Sequence, residues 1–326
     1  MFSILQFLFV AVIGLRFFDR WTALVALAFL SVCPMELAIA RRVWQDGVAG
    51  CVGLMLFYFC MEASLSSRKG IWLGLFWLFG AWFLMIKEST VPVFCLYSLW
   101  LVVICRLRKC TPGKCALIAA GCALTGLFSF TMMAWLSGGI SNFLAVIQHN
   151  KQSMHLNLYA INFQNGPWYS HMLGWWILSP VPATLCLVCM AAWIMPGRIP
   201  ARVLKFDDEA RLVTWGLVLI ALIVTVMATL PPYLKNLRYI TFIYGPCYLL
   251  GGIGLRYLWT LCKEEMAAPA RRWSLVAATL LILGAMAADF STFHRVFIKE
   301  GMNDLAIIRL IDNAFQSSAT QPAPGM

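Results

Sequence analysis

Apolar residues fall into long unbroken runs, and polar residues fall between the runs rather than alternating within them. Runs at 2–17, 21–39, 49–66, 71–86, 91–105, 115–136, 172–196, 212–230, 240–261 and 273–290 predict ten helices. A strand that spans a membrane would alternate over about ten residues, and these runs do not. Spanning segments must satisfy their own backbone polar groups, so the pattern predicts an all-α, polytopic transmembrane bundle of about ten spans. The first run is short for a span. Pro180 and Pro182 predict a kink in the seventh. One segment breaks the rhythm: 140–170 is polar and aromatic, with His149, Asn150, Lys151, His155, Tyr159, Asn162, Gln164 and Asn165, and is too polar to cross. The predicted organisation is a membrane domain over 1–290, which includes an inter-span loop at 137–171, and a tail at 291–326.

Composition agrees. The chain has 326 residues, 61% hydrophobic and 12% charged, with mean hydropathy +0.79. A soluble domain of that size could not hide so much apolar surface. The net charge of +11 sits in short loops, which reads as topology signal and headgroup contact rather than nucleic-acid binding. Sixteen of the 25 basic residues fall in the loops after the odd-numbered runs. The positive-inside rule places those loops in the cytoplasm and the other set outside. Cys186 and Cys189 form a C-x-x-C inside an apolar span, where buried inert thiols are the expected state. The cysteines predict no metal site.

Candidate chemistry gathers in the outer loops. The segment Arg41-Arg42-Val43-Trp44-Gln45-Asp46-Gly47 concentrates two guanidiniums, an indole, an amide and a carboxylate at the mouth of a span. A charge in hydrocarbon costs about 2.5–3.5 kcal/mol, so the cluster belongs at the interface or facing a polar cavity. Lys87-Glu88-Ser89-Thr90, Gly166-Pro167-Trp168-Tyr169 and Asn236-Leu237-Arg238-Tyr239 share its side. Asp46 and Glu88 are the candidate catalytic carboxylates. Lys87, Lys235 and Arg238 are candidate phosphate ligands, and Arg42, Trp168, Tyr169 and Tyr239 candidate acceptor contacts. Arginine clamps phosphate with its fork, lysine acts as a point charge, and a carboxylate can activate a hydroxyl or hold a divalent cation. Each has a plainer alternative. Arg41, Arg42, Lys235 and Arg238 can snorkel to headgroups; Lys87 and Glu88 can neutralise each other; Asp46 can pair with Arg41 or Arg42; and Trp168 and Tyr169 suit an interfacial belt. Glu62 and Asp289 receive no role.

The order and spacing of these four motifs resemble the GT-C glycosyltransferases, in particular the ArnT/protein-O-mannosyltransferase-like branch, over about residues 1–300. The resemblance implies a multispan enzyme of the bacterial plasma membrane with its active face outside. It would move a sugar from a polyprenyl-phosphate donor to a glycan, lipid or protein acceptor, with no nucleic-acid partner. It implies no certain cofactor and leaves a divalent metal open. Asp46 matches the family's second acidic outer-loop residue. The span and loop that carry the family's first carboxylate, its catalytic base, have no counterpart here, so the resemblance implies a chain that begins within the usual second span. A transporter or flippase of a lipid-linked anion, and a non-catalytic membrane protein, are the alternative readings.

Overall fold

The computed structural model describes residues 2–42, 45–158, 162, 166–195, 203–230, 235–265 and 268–301. Among them the chain is all-α, with no strand. The helices are α1 (Phe2–Phe17), α2 (Arg20–Ser31), α3 (Pro34–Arg42), α4 (Gln45–Leu65), α5 (Lys69–Ile86), α6 (Thr90–Leu107), α7 (Pro112–Leu136), α8 (Ile140–Leu156), α9 (Ser170–Leu178), α10 (Pro180–Ile194), α11 (Asp208–Thr229), α12 (Tyr244–Glu265) and α13 (Ala268–Phe293). A 3₁₀ segment, Leu237–Ile243, leads into α12, and a π-helical turn, His294–Lys299, extends α13.

Six of these are long and apolar enough to cross a membrane, or seven if α2 and α3 make one bent span. That fits a multi-pass membrane protein and is fewer than the ten spans expected. The physical reasons are local. The second run breaks at Cys33-Pro34, where α2 and α3 diverge by 56°. The seventh breaks at Ser179-Pro180, where the expected kink is a full interruption. Proline has no N–H to give the carbonyl four residues back, so each helix ends and a new one starts on the proline. The first run makes a helix of only 16 residues. The ninth begins as the 3₁₀ segment and ends among charged residues.

Helix α4 is the hub. It is apolar on all sides and buried along nearly its whole length, packed against α1, α5, α6 and the 3₁₀ segment, as a helix without a polar face must be. Helix α12 is the second hub, between α2 and α10. Two glycines set that approach. A Cβ on Gly252 would lie 2.8 Å from the Thr22 carbonyl oxygen, and one on Gly254 would lie 2.3 Å from that of Leu185. Small residues let helix backbones touch, which is the main way helices associate in lipid. Helices α5, α7 and α13 are peripheral and leave most of their apolar surface outward.

Two details lie at the expected boundaries. Helix α13 runs past 290 into the π turn, where Val296 and Phe297 are buried and the Phe297 carbonyl accepts a 2.9 Å bond from Arg41. The predicted loop at 137–171 holds a 17-residue helix, α8, which is exposed and packs on α7. Its apolar Ile140, Leu144 and Ile147 recur at helical spacing between polar positions, which explains a helix within a stretch too polar to span.

The two ends of the bundle differ. At one, Arg16 bridges Glu62 at 2.9 Å and Glu209 at 3.2 Å, and Arg256 meets Asp19 at 2.5 Å. Asp19 and Asp207 also cap α2 and α11, each accepting a 2.7 Å backbone bond. The other end holds the candidate site.

Candidate functional site

Asp46 lies in the first turn of α4, where the helix dipole favours a negative charge. Its side chain is buried. Lys87 ends α5 in an extended conformation, which turns its side chain across to α4, and its ammonium pairs with the Asp46 carboxylate. The pairing bears on the alternatives raised by the sequence, among the described side chains. Lys87 serves Asp46 and not its neighbour Glu88, and Asp46 is held by Lys87 while Arg41 bonds the Phe297 carbonyl. Glu88 is exposed and accepts a 3.2 Å bond from Asn150 of α8.

The 3₁₀ segment completes the cluster. Asn236, almost fully buried, caps it by accepting the Arg238 N–H at 3.1 Å, and the Tyr244 hydroxyl donates to the Leu237 carbonyl at 2.6 Å. Thr241 donates to the Asp46 carbonyl at 3.2 Å and so ties the segment to α4. So held, Tyr239 lies between two cations. Lys87 Nζ is 4.7 Å from its ring centroid and the Arg238 guanidinium 5.0 Å, and Arg238 also donates to the Tyr239 hydroxyl at 3.1 Å. Both distances are within cation–π range. The structure therefore brings Asp46, Lys87, Arg238 and Tyr239 together.

Lys235 is 1% exposed, and its ammonium donates to the Thr229 carbonyl at 2.5 Å, at the negative end of the α11 dipole. Among the described residues no carboxylate comes within ion-pair distance of it. Burial holds its pKa below the ordinary lysine value. Gly166 packs on its stem: a Cβ there would lie 3.5 Å from Lys235 Cγ. The Gly-Pro-Trp-Tyr and Lys-Asn-Leu-Arg-Tyr motifs thus meet, although 70 residues separate Gly166 from Asn236.

Beside them opens a cavity of about 190 Å³ between α9, α10, α11 and the 3₁₀ segment. Trp168, His171, Trp175, Met190, Thr229 and Ile240 are among its lining residues. It is almost wholly apolar. Its volume falls below the ~300–1,000 Å³ of pockets that enclose a whole drug-sized ligand, so it suits a segment of an apolar chain. Trp168 is 72% exposed at its rim, edge-on to the exposed Tyr169.

His171, to which sequence reasoning assigned no role, is fully buried against this cavity. Its signal was available, a histidine two residues after Tyr169, but it reads as part of an apolar run. Arg42 ends α3; its side chain, with Val43 and Trp44, lies outside the described residues, as do Pro231–Leu234, the side chains of Lys151 and His155, and 302–326. Among the described residues no three His, Cys, Asp or Glu side chains gather as metal ligands, and Asp46, already neutralised by Lys87, makes a poor anchor for a divalent ion. Cys186 and Cys189 are buried free thiols on one helix. No family model, curated protein or solved structure matches the chain.

Proposed function

We propose that this chain is a membrane glycosyltransferase, taking a sugar from a polyprenyl-phosphate donor and passing it to an acceptor at the Asp46 end of the bundle, on the outer side of the membrane. One observation carries the reading: a buried lysine without a carboxylate partner among the described residues adjoins an apolar cavity, next to an Asp–Lys–Tyr–Arg cluster. An ammonium bonded to the carbonyl of Thr229, a residue that lines an apolar slot, suits a phosphate head on a lipid tail.

The roles follow from position. The first prenyl segment occupies the cavity, and Lys235 and Arg238 hold the phosphate. Lys87 turns from Asp46 toward the same anion. That exchange frees the Asp46 carboxylate as Lys87 finds a stronger partner. The acceptor oxygen then attacks the anomeric carbon. The bond from that carbon to the phosphate oxygen breaks, the polyprenyl phosphate leaves with the electron pair, and the acceptor's proton passes to Asp46. Trp168 and Tyr169 offer rim surfaces for the acceptor, and Glu88 a second carboxylate tied to α8.

Asp46→Asn keeps shape and removes charge. Measured as transfer of labelled sugar, in membranes of cells that express the chain from its own genomic locus, the change should cost at least about tenfold, or ~1.4 kcal/mol in the barrier. Equal turnover at equal membrane abundance overturns this role.

Transport of a lipid-linked anion is the second reading, favoured by two helices interrupted inside the bundle, at Cys33 and at Ser179. Transporters place binding sites at such breaks. Proteoliposomes that translocate the lipid without glycosidic cleavage would establish it over the enzyme.

A further inference from the structure

The two interruptions are neighbours in space. The Tyr248 hydroxyl of α12 reaches the Ser179 hydroxyl at 3.5 Å, between α9 and α10, and lies beside the Cys33 thiol, between α2 and α3. Asp289 of α13 completes the group, with its carboxyl beside Ser179. Asp289 is 1% exposed, and its Oδ2 has no hydrogen-bond partner among the described residues. No described lysine, arginine or histidine nitrogen lies within 4.0 Å of it. Glu36, nearby on α3, is accounted for by a 2.8 Å bond from Gln6.

A buried carboxylate oxygen with no partner is costly, so its neighbours matter. At each break one helix ends and another begins, so the last carbonyls of α2 and α9 meet the first N–H groups of α3 and α10, and their opposite dipole charges offset each other. Pro34 and Pro180 have no N–H, so the carbonyls of Leu30 and Trp176 lose their ordinary helical donors. Cys33 N–H repairs the first, at 3.2 Å. The Ser179 and Tyr248 hydroxyls are thus the oxygens at hand, and among the described residues no cationic side chain pairs with Asp289. One positive charge would neutralise Asp289; a divalent ion would leave a net charge in the interior.

We propose that Asp289, with the hydroxyls of Ser179 and Tyr248 at the meeting point of two broken helices, binds a monovalent cation. The site is distinct from the Asp46 cluster and does not depend on the sugar-transfer reading. Its ligand is a sodium ion coordinated by these oxygens.

The purified full chain in lipid nanodiscs provides the test. Thermal unfolding is followed as sodium replaces choline at constant ionic strength and pH, and then as pH varies without sodium. A ligand bound only by the folded state raises the melting temperature as it saturates. Wild type should respond to sodium; a response to falling pH with none to sodium overturns the site and leaves a buried carboxyl that is simply protonated. Asp289→Asn should abolish the sodium response, while Glu209→Gln, at the opposite end of the bundle, should keep it. Ser179→Ala and Tyr248→Phe should each raise the half-saturating concentration about tenfold, equivalent to ~1.4 kcal/mol, and these two decide the matter if Asp289→Asn does not fold. Wild type indifferent to sodium, a full sodium response in Asp289→Asn, or unchanged half-saturation in Ser179→Ala and Tyr248→Phe overturns the proposal.

Discussion

Lys235→Met separates a binding lysine from a structural one. Methionine keeps an unbranched apolar stem and removes the ammonium. Two effects on stability oppose each other. The variant loses the bond to the Thr229 carbonyl, worth about 0.5–1.5 kcal/mol net, and it escapes the cost of holding a charge in a site where burial depresses its pKa. Stability should therefore change by less than ~1 kcal/mol. Binding has no such offset. A charge-assisted bond contributes about 1.5–3 kcal/mol, so affinity for a polyprenyl phosphate should fall about 10- to 150-fold. The pH dependence carries a second sign. Because the folded-state pKa is lowered, the unfolded chain holds more protons between that depressed value and the ordinary lysine value of ~10.4. Wild-type stability should rise with pH across that window as the buried charge is lost. Affinity for the anion should fall across the same range. Lys235→Met should show neither slope from this residue. Binding measured by titration of the lipid into nanodiscs, with melting in parallel, checks all three. A large loss of stability with unchanged affinity would refute the reasoning and make Lys235 a helix-capping residue only.

Lys87→Met strands the Asp46 carboxylate at 5% exposure and should lower stability by about 1–3 kcal/mol; adding Asp46→Asn should restore much of it in a melting comparison, and additive losses would refute the pairing. Gly254→Ala places a Cβ 2.3 Å from the Leu185 carbonyl oxygen and should cost about 1–3 kcal/mol through forced separation of α10 and α12; a wild-type melting temperature would contradict that contact. For topology, a single cysteine added at Gln148 on α8, in a chain freed of its exposed thiols, should react with an impermeant reagent from outside, and one at Lys109 should not; the reverse labelling would invert the assignment of sides.

Much of the architecture was legible because membrane helices announce themselves by composition. The number of spans was not. A hydropathy run records apolarity and not continuity, so the second run, 21–39, reads straight through Pro34, where a new helix starts across a bend, and Pro180 reads as a kink when it is a break. The site was legible in its residue types. Asp46, Lys87, Arg238 and Tyr239 converge because polar groups at span ends on one side share one surface. The partners were hidden: a chain read in order offers Asp46 the adjacent Arg41 and Arg42, while its actual partner lies 41 residues away. Asp289 and His171 were passed over for a related reason. Each sits inside or beside an apolar run, and the pattern says nothing of which side chains face inward together.

The glycine contacts of α12 bear on mechanics. With Gly252 against the Thr22 carbonyl and Gly254 against the Leu185 carbonyl, α2, α10 and α12 meet at backbone distance, which resists sliding between them. The pieces beyond the two breaks, α3 and α9, are joined to these helices through Cys33 and Ser179 alone in sequence. They carry Arg41 on one side and His171 and Trp175 on the other. Rotation of α9 about Ser179 would move the part of the cavity wall that α9 supplies, while the part on α10 stays with α12. Such a gate could widen the slot for a bulky prenyl chain without loosening the α10–α12 contact.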